Sequence, residues 1–480
     1  MSDIPNLSSQ CKVITPSSPE YEKAISRNTL TAVIPAKYVA YPSTPSDVSA
    51  ILKFARTQNP HLPIAVKGGG LNSYPVSSSE GITIDMSQIR HVRLAEDKKS
   101  VTVGGGAIWE DVYAPLDEQG LIAAGANVWN VGVAAYVLGG GFSNLTPAHG
   151  YGCDSLLEGT IVLADGRIVK CDADNEPDLF WALRGNFNQA FLLLTLIPEI
   201  FSRRWAPIWC SDRTGLEDVP SHGPAFTGAI IYPANELQSF LNVLKKRLST
   251  PSPKQVFILG FSRAAPDYYP TLLFIPYVEG TPEEVDAVIS PFRTEITPLL
   301  EQTVTLTSFM QATHATDGIT KQFPPRRING GALFGSLWDD LILSMYDEWL
   351  KFTENSDSKT SLALWEFYPP GRNTEIDIKD TAYPCRKQQN YFHVYGLHSS
   401  PERDTPTREW IEKVTSKVNA ANLEKMGFKF PIPHNSGTGL EAPEDIYGEH
   451  LQRLRELKTK YDPHQMFNKK YWTIPPLTSN

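Results

Sequence analysis

The stretch Lys67-Gly68-Gly69-Gly70-Leu71-Asn72-Ser73 decides the fold of this chain. A second glycine-dense stretch follows it, Val131-Gly132-Val133-Ala134-Ala135-Tyr136-Val137-Leu138-Gly139-Gly140-Gly141. Glycine lets the backbone approach a ligand closely and adopt positive φ, which residues with a Cβ resist. Successive N–H groups in such turns form concave sites for anions. The two turns therefore predict a site that wraps the backbone around a diphosphate.

Bulk composition limits the class of protein. A chain of 480 residues is too long for one hydrophobic core, so two or three domains are expected. The apolar fraction of 41% and the charged fraction of 20% are ordinary for a globular protein. A net charge of −9 argues against nonspecific binding to nucleic acid or to anionic membranes. No run approaches the roughly 18 apolar residues that span a bilayer.

Compartment and metal content are also constrained by the sequence. The N-terminus lacks the basic and apolar regions of a secretory signal, so a cytoplasmic location is expected. Widely spaced cysteines without a Cys-x-x-Cys pair favour free buried thiols over a disulfide framework. The cysteines are Cys11, Cys153, Cys171, Cys210 and Cys385. No His-x-x-x-His or His-Glu-x-x-His spacing occurs, so no metal site is predicted.

Short strands and helices alternate through about residue 200, which indicates an α+β arrangement. Thr44 or Ser46 is placed to cap a helix whose apolar residues have helical spacing. The runs 157–163 and 167–171 flank Ala164-Asp165-Gly166, a strong hairpin signal. A strand over 62–66 leads directly into the first glycine turn.

From about residue 205 to 435, long amphipathic helices alternate with apolar strand-like runs. The predicted helices cover 236–248, 282–301, 336–352 and 407–423, and the runs include 257–261 and 271–275. This pattern predicts an antiparallel sheet covered by helices, followed by a charged tail helix over 447–460. The strand-like run Tyr391-Phe392-His393-Val394-Tyr395 places its tyrosines on one face.

Eight motifs in order resemble the fungal berberine-bridge-enzyme-like group of FAD-linked oxidoreductases, which have the vanillyl-alcohol-oxidase (PCMH-type) fold. The resemblance covers about residues 36–200 and 445–468. Its motifs are Pro42-x-x-x-x-Asp47-Val48, the Lys67 turn, 81–85, 103–113, 131–143, 162–169, 177–183 and Tyr461-Asp462-Pro463. Any one glycine run is weak evidence, whereas eight motifs at the family spacing identify the fold.

The resemblance implies a flavoprotein with two domains. Residues 1–204 and 440–480 would form the FAD-binding domain, and 205–439 a substrate domain of antiparallel sheet and helices. Carried over by position, one set of residues would line the pyrophosphate, and Gly166 with Ile168 would approach the adenine. That set is Gly68, Gly69, Gly70, Leu71, Asn72, Gly132, Val133, Gly139, Gly140, Gly141, Phe142 and Ser143. The alternative is that these glycines serve only tight turns.

The sequence departs from the family at the cofactor anchor. Relatives tether the flavin to a histidine at the position of Leu71 and often to a cysteine near Val128, and neither leucine nor valine can form that bond. The loop Arg184-Gly185-Asn186-Phe187-Asn188-Gln189 is about two residues shorter than the family's glycine loop, with Gln189 at its last glycine. Where many relatives place a base tyrosine, this chain reads His434-Asn435-Ser436.

These features support three hypotheses. The first is an oxidoreductase with non-covalent FAD, weakly bound or absent, that oxidises or oxidatively cyclises a small natural product in secondary metabolism. The second is a flavin-independent cyclase or pericyclase that uses the same cavity, and the third is a non-catalytic binder. The candidate catalytic residues are His434, Tyr391, Tyr395 and Tyr447. Each has a purely structural alternative. His434 would be a loop histidine, Tyr391 and Tyr395 ordinary core tyrosines, and Tyr447 a residue that packs the tail helix. The oligomeric state is not assigned.

Overall fold

The computed structural model describes residues 4–185, 191–198, 201–202, 225–264, 266–306, 308–315, 317–468 and 471–477. Helices accompany three larger sheets and one two-stranded pair in these ranges, which confirms the α+β prediction. None of the described helices has the length and apolar character needed to cross a membrane. The described residues also contain no cluster of histidine, cysteine or carboxylate side chains able to hold a metal ion.

The first sheet delivers the first glycine turn. Its strands are β1 (Lys12–Ile14), β2 (Tyr38–Tyr41), β3 (Ile64–Lys67) and β4 (Ile82–Asp85), in the spatial order β1-β2-β4-β3. Strands β2 and β3 both run parallel to β4, and β1 is antiparallel to β2. Because β3 ends at Lys67, the glycine turn begins directly at the carboxyl end of a parallel strand.

Two helices belong to this first part, α1 (Tyr21–Ile25) and α2 (Pro45–Thr57). Thr44 is the N-cap of α2, one of the two caps that the sequence predicts. Its hydroxyl accepts the Asp47 N–H at 3.1 Å, and the Asp47 carboxylate accepts the Thr44 N–H at 2.9 Å. This reciprocal pair satisfies two N–H groups that a helix start otherwise leaves without a partner.

The second sheet carries the predicted hairpin. The strands that follow β4 are β5 (Val92–Leu94), β6 (Val101–Gly104), β7 (Leu121–Ile122), β8 (Leu156–Leu163), β9 (Ile168–Asp172), β10 (Phe191–Pro198) and β11 (Phe201–Ser202). Five of them form an antiparallel sheet in the order β5-β6-β10-β8-β9, and β7 pairs with β11. Gly166 has a φ of +86° in the turn between β8 and β9, where a side chain would be strained.

Short helices connect these strands. They are α3 (Trp109–Glu118), α4 (Val133–Leu138), α5 (Thr146–His149) and α6 (Pro177–Leu183). The second glycine stretch surrounds α4, with Gly132 at its N-cap and Gly139 at its C-cap.

The large third sheet forms the roof of the site. Its strands are β12 (Ala225–Pro233), β13 (Gln255–Ala264), β14 (Tyr269–Glu279), β15 (Leu300–Leu306), β16 (Arg326–Phe334), β17 (Leu362–Phe367) and β18 (Asn390–His398). They are antiparallel in the order β15-β12-β14-β13-β17-β18-β16. All seven lie inside the predicted substrate domain; the boundaries of that domain at residues 205 and 439 stay a prediction.

Helices follow or cover this sheet. They are α7 (Leu237–Leu248), α8 (Pro282–Thr294), α9 (Phe309–Thr313), α10 (Asp317–Thr320), α11 (Asp339–Thr353), α12 (Arg372–Glu375), α13 (Asp404–Met426), α14 (Pro443–Tyr447) and α15 (Leu451–Tyr461). The helix predicted over 282–301 was too long, because α8 ends at Thr294 and Glu301 lies in β15. Pro298 prevents a helix that continues to 301, since it lacks an N–H and disfavours helical backbone at the preceding residue.

The two faces of the large sheet have different environments. Trp365, Phe392 and Val394 lie in one hydrophobic cluster with Trp410 and Ile411 of α13. Side chains alternate between faces along a strand. The residues between them in sequence, on β17 and β18, therefore point to the opposite face, toward the glycine turns.

Hydrogen bonds fix the first glycine turn to the edge of this sheet. The backbone N–H of Arg327 donates to Thr29 Oγ1 at 2.8 Å, and that of Asn329 donates to Ser73 Oγ at 2.9 Å. Thr31 Oγ1 donates to the Arg327 carbonyl at 2.9 Å. Edge strands otherwise expose such groups. Because Ser73 ends the first glycine stretch, this contact sets the spacing between turn and sheet.

The cysteines match the free-thiol prediction in the described ranges. Cys153, Cys171 and Cys385 are buried and Cys11 is half-buried, and all four are free. Cys210 lies outside the described residues.

Candidate active site

A cavity of about 680 Å³ lies between the two glycine turns and the large sheet. This volume is within the range of roughly 300–1,000 Å³ that ligand pockets usually have. The first turn contributes Gly68 to Asn72 to its wall, and the second contributes Gly132. The sheet contributes Glu366, Tyr391, His393, Tyr395, Asn329 and Arg327. The two turns and the tyrosine strip that the sequence singled out thus meet at one site.

The two turns touch each other through glycine. A Cβ on Gly69 would lie 2.7 Å from the Gly132 nitrogen, and a Cβ on Gly132 would lie 2.6 Å from the Gly69 nitrogen. Both distances are shorter than van der Waals contact, so any side chain at either position would push the turns apart. Here the absence of a Cβ is a requirement of packing as well as of backbone conformation.

Backbone donors at the first turn are available to a ligand. The N–H groups of Gly69, Gly70 and Leu71 have no acceptor among the described residues. Gly70 has a φ of +69°, so the N–H groups around it follow a left-handed turn. Consecutive N–H groups in such a turn form an anion-binding concavity. This donor set fits a diphosphate.

The Arg27 side chain lies against the same turn, where a Cβ on Gly70 would be 3.6 Å from its Cδ atom. The Arg27 guanidinium donates from Nε to Ser77 Oγ at 3.1 Å and from a terminal nitrogen to the Ser77 carbonyl at 2.6 Å. Burial lowers the pKa of Arg27, because desolvation penalises its charge. Lys67, by contrast, is paired with Asp85 at 2.7 Å. The local charge therefore favours an anion at the turn.

Both positions that the resemblance assigns to flavin tethers face this cavity. Leu71 and Val128 are part of its wall. Neither side chain carries a nucleophile, so no bond from either of these positions to a flavin can form.

The end of the second glycine stretch, Gly139 to Gly141, lies outside the cavity wall. A Cβ on Gly139 would overlap the Asn435 side chain, and one on Gly140 or Gly141 would overlap the ring of Tyr383 or Tyr136. These three glycines therefore make room for the protein's own side chains. The structure does not bring them into the cavity wall that the sequence prediction assigned to them.

The remaining residues of the predicted pyrophosphate set divide in the same way. Phe142 reaches the cavity, where its ring centroid lies 5.7 Å from that of Tyr391. Val133 and Ser143 are buried behind the wall. Ser143 holds the following helix, because its backbone N–H donates to Thr146 Oγ1 at 2.9 Å.

The predicted adenine contacts lie in a different place from the cavity. Gly166 and Ile168 line a separate surface depression next to α2. There the Ser49 hydroxyl donates to the Gly166 carbonyl at 2.5 Å. The structure therefore does not join these two residues to the main cavity.

Two of the four candidate bases are also away from the cavity. His434 is 1% exposed, and its ring centroid lies 5.2 Å from that of Tyr447. Tyr447 donates its hydroxyl to the Trp472 carbonyl at 2.7 Å. Burial lowers the pKa of His434 to about 3. Both residues are buried: Tyr447 packs with the tail helix, and His434 lies in a turn of the loop between α13 and α14, so the alternatives of a packing tyrosine and a loop histidine both hold.

A polar cluster on the sheet faces the cavity instead. Tyr368 donates its hydroxyl to Glu366 Oε2 at 2.7 Å, while Glu366 Oε1 lies 4.0 Å from His393 Nδ1. The Tyr395 hydroxyl lies 3.2 Å from the same His393 nitrogen. The side chains of His393 and Glu366 are 20% and 13% exposed. Tyr391 hydrogen-bonds Ser436 beside them.

Burial sets the protonation states in this cluster. Desolvation raises the pKa of Glu366 to about 7, although the hydrogen bond from Tyr368 opposes the shift. Desolvation also lowers the pKa of His393 to about 4, so this ring is neutral at pH 7. A carboxyl group that is half ionised at neutral pH is suited to proton abstraction.

Glu366 is a candidate functional residue of the cavity wall that the sequence analysis did not predict. Its signal is a single charged residue in the apolar run Leu362–Phe367, between Trp365 and Phe367. Pairing of β17 with β18 places it directly opposite Tyr391. That register joins residues 25 positions apart, and no local pattern reveals it. The shortened loop cannot be compared, because residues 186–189 lie outside the described residues.

Comparison with known proteins agrees with this geometry. The family model for an FAD binding domain matches residues 36–172, and the model described as berberine and berberine like matches 418–470. The FAD-linked oxidoreductase pgmH of Aspergillus terreus is 26% identical over 483 aligned positions, covering 96% of this chain and 92% of that protein.

Solved structures share the fold at low identity. The 6-hydroxy-D-nicotine oxidase of Arthrobacter nicotinovorans has a TM-score of 0.81 at 18% identity, covering 98% of this chain and 99% of its own. The glucooligosaccharide oxidase of Acremonium strictum, described with a 6-S-cysteinyl, 8α-N1-histidyl FAD, has a TM-score of 0.77 at 18% identity. That likeness covers 98% of each chain.

Fold, cavity and family matches together define an enzyme of the FAD-linked oxidoreductase class. Within that class, residues 418–470 match the family model of the berberine-like proteins. The open N–H groups at Gly69 to Leu71 and the touching turns fit the diphosphate of FAD.

Proposed function

We propose that the protein binds FAD without a covalent bond and oxidises a small natural product, with Glu366 as the proton acceptor. The observation that carries the proposal is the composition of the cavity wall. It contains Leu71 and Val128 in place of the relatives' tethers, and an ionisable carboxyl group on the facing sheet. Fungal relatives named as FAD-linked oxidoreductases support the reaction class.

The residues of the two turns would hold the cofactor. Backbone N–H groups of Gly69, Gly70 and Leu71 would bind the diphosphate, and the Arg27 charge behind them would favour it. Bound there, FAD supplies a two-electron acceptor. Without a tether, its retention depends on these hydrogen bonds and on packing against the apolar wall, so the cofactor is expected to dissociate.

Glu366 would take the proton that the substrate loses. Its Oε2 is occupied by the Tyr368 hydroxyl, which leaves Oε1 to accept the proton. Neutral His393 lies between Oε1 and the Tyr395 hydroxyl, so it can orient a substrate hydroxyl without adding charge. Phe142 and Tyr391 cover the carboxyl side with stacked rings. This cover keeps the pKa of Glu366 high by excluding water.

A flavin-independent cyclase is the second candidate. The observation in its favour is that Gly139, Gly140 and Gly141 are filled by protein side chains. Those positions therefore leave no room for a cofactor at the end of the second glycine stretch. A cavity with a carboxyl and two tyrosine hydroxyl groups can hold a reactive polyene in a compact conformer, which lowers the entropic part of a cyclisation barrier.

The purified protein distinguishes the two candidates. We expect it to show a flavin absorption band, alone or after incubation with FAD, and acid precipitation should leave the flavin in the supernatant. A flavin band that stays with the acid pellet would contradict the non-covalent proposal. A colourless protein that takes up no FAD but still converts a polyene would favour the cyclase.

A further inference from the structure

The first half of β16 presents an unusual cation to the cavity. Arg327 lies in the wall, and its guanidinium donates only to neutral acceptors. These are the Pro324 carbonyl at 3.1 Å, Asn28 Oδ1 at 3.2 Å and the Phe323 carbonyl at 3.4 Å. A guanidinium has five N–H donors, so two remain for a ligand. Among the described residues, no carboxylate pairs with it.

Asn329 stands two residues further along the same strand. Residues at this spacing share one face, at a separation of about 7 Å. Its Oδ1 atom is buried in the cavity wall and has no hydrogen-bond partner among the described residues. A buried acceptor without a donor costs about 1–3 kcal/mol, so this atom is suited to receive an O–H or N–H from a ligand.

The other charges of the wall do not compensate Arg327. Asp317 accepts a hydrogen bond from Trp129 Nε1 at 2.8 Å and lies 3.1 Å from His314 and 3.7 Å from Lys321. Its charge is therefore shared with Trp129, His314 and Lys321. Glu366 lies beside His393, at the other end of the cavity wall from Arg327. The end of the cavity that contains Arg327 thus has an excess of positive charge.

We propose that the substrate is a hydroxylated carboxylic acid whose carboxylate binds Arg327 and whose hydroxyl donates to Asn329 Oδ1. This inference rests on the proposed function and names its substrate class. A planar guanidinium with two open donors matches the geometry of a carboxylate. The uncharged ester of the same acid gains no such pair.

The course of β16 along the cavity also orients the substrate. Gly331 is paired with His393, and Asn329 with Tyr395, so the strand leads from Arg327 to the Glu366 cluster. Glu366 lies opposite Tyr391, which pairs with Leu333, so about 20 Å of strand separates the Cα atoms of Arg327 and Leu333. An acid bound at Arg327 would therefore reach the proposed base only if it extends along this strand.

Equilibrium binding tests the proposal with three probes on the full-length, FAD-loaded protein. They are 6-hydroxy-2-naphthoate, its methyl ester and 2-naphthoate, titrated by calorimetry. We expect the hydroxy acid to bind about tenfold or more tightly than the ester, because a charge-assisted bidentate pair is lost in the ester. We expect 2-naphthoate to bind several-fold more weakly than the hydroxy acid, because Asn329 stays without a donor.

Variants assign these differences to residues. Arg327→Met should lower the affinity for the hydroxy acid to that for the ester and leave the affinity for the ester unchanged. Arg327→Lys should keep part of the preference for the acid over the ester. Asn329→Ala should remove the advantage of the hydroxy acid over 2-naphthoate. Lys321→Met, which removes a cation from the same wall, is the matched control and should keep most of the preference.

Two results would overturn the proposal. One is equal affinity of wild-type protein for the acid and the ester. The other is a loss of FAD affinity in Arg327→Met without a change in the acid preference, which would assign this arginine to the cofactor. FAD binding is measured separately in every variant, so failure of the cofactor proposal is recognised by an absence of FAD binding in wild-type protein.

Discussion

Glu366→Gln lowers the turnover of any compound the enzyme oxidises by a factor of about 10²–10⁴, the usual contribution of a general base. The change keeps the shape of the side chain and its acceptor for Tyr368 but removes the group that takes the proton. FAD affinity should stay within about twofold, because Glu366 lies on the sheet and not on the glycine turns. Steady-state oxygen consumption measures the turnover.

Glu279→Gln is the matched control. Glu279 is also a buried carboxyl group that accepts a tyrosine hydroxyl two residues away, from Tyr277 at 2.7 Å. It lies on β14 and contributes nothing to the cavity wall. Its variant should therefore turn over substrate nearly as fast as wild type. Equal losses in both variants would mean that Glu366 acts through folding rather than as a base.

The pH dependence has a defined sign. A base must be ionised, and the pKa of Glu366 is about 7, so kcat/KM should rise with pH through 7 and then level. Because its pKa is raised in the folded state, the folded protein binds more protons than the unfolded chain between pH 4.5 and about 7. Stability from this group is thus present at low pH and lost as pH rises. Glu366→Gln should raise Tm at pH 8 and change it little at pH 4.5.

Arg386→Met destabilises the protein by about 3–5 kcal/mol, the cost of breaking a buried ion pair. Arg386 and Asp154 form two hydrogen bonds of 2.8 and 2.7 Å, and their side chains are 6% and 5% exposed. Arg386 precedes β18, whereas Asp154 follows the second glycine stretch. Removing the arginine leaves the Asp154 carboxylate buried without its cation. Urea denaturation measures the free energy of unfolding.

A second pair and a double variant separate charge from packing. Lys246 and Glu295 form an ion pair at 2.8 Å with side chains 68% and 45% exposed, so Lys246→Met should cost only about 0–1 kcal/mol. The double variant Arg386→Met with Asp154→Asn should recover part of the loss, because no buried charge remains. A loss below about 1 kcal/mol in Arg386→Met would contradict the role of this pair in joining the glycine stretch to the sheet.

Local patterns predicted the fold where a single segment determines it. Thr44 as a helix cap, the hairpin around Gly166 and the alternation from Tyr391 to Tyr395 each depend on neighbouring residues. The glycines at 69 and 132 were predicted as parts of tight turns, but their contact with each other joins segments 63 residues apart and was not predicted. These segments fix where the cavity is.

The chemistry of the cavity depends on strand register and on contacts between distant segments. Glu366 faces the cavity because β17 pairs with β18, and Arg327 does so because Thr29 and Ser73 bind the edge of β16. His434 was expected at the site from its position in a motif, yet it packs on Tyr447 in the core. Chain position alone does not say which wall a side chain reaches.

Titration of FAD onto flavin-free protein tests the central claim, that the touching glycine turns form a non-covalent flavin site. FAD fluorescence should be quenched at one equivalent by wild type and by Gly318→Ala, whose added Cβ has no neighbour within 4 Å. Gly69→Ala should lose the quenching while circular dichroism shows a folded protein, because its Cβ would separate the turns. Absence of quenching by wild-type protein, or full quenching by Gly69→Ala, would contradict the claim.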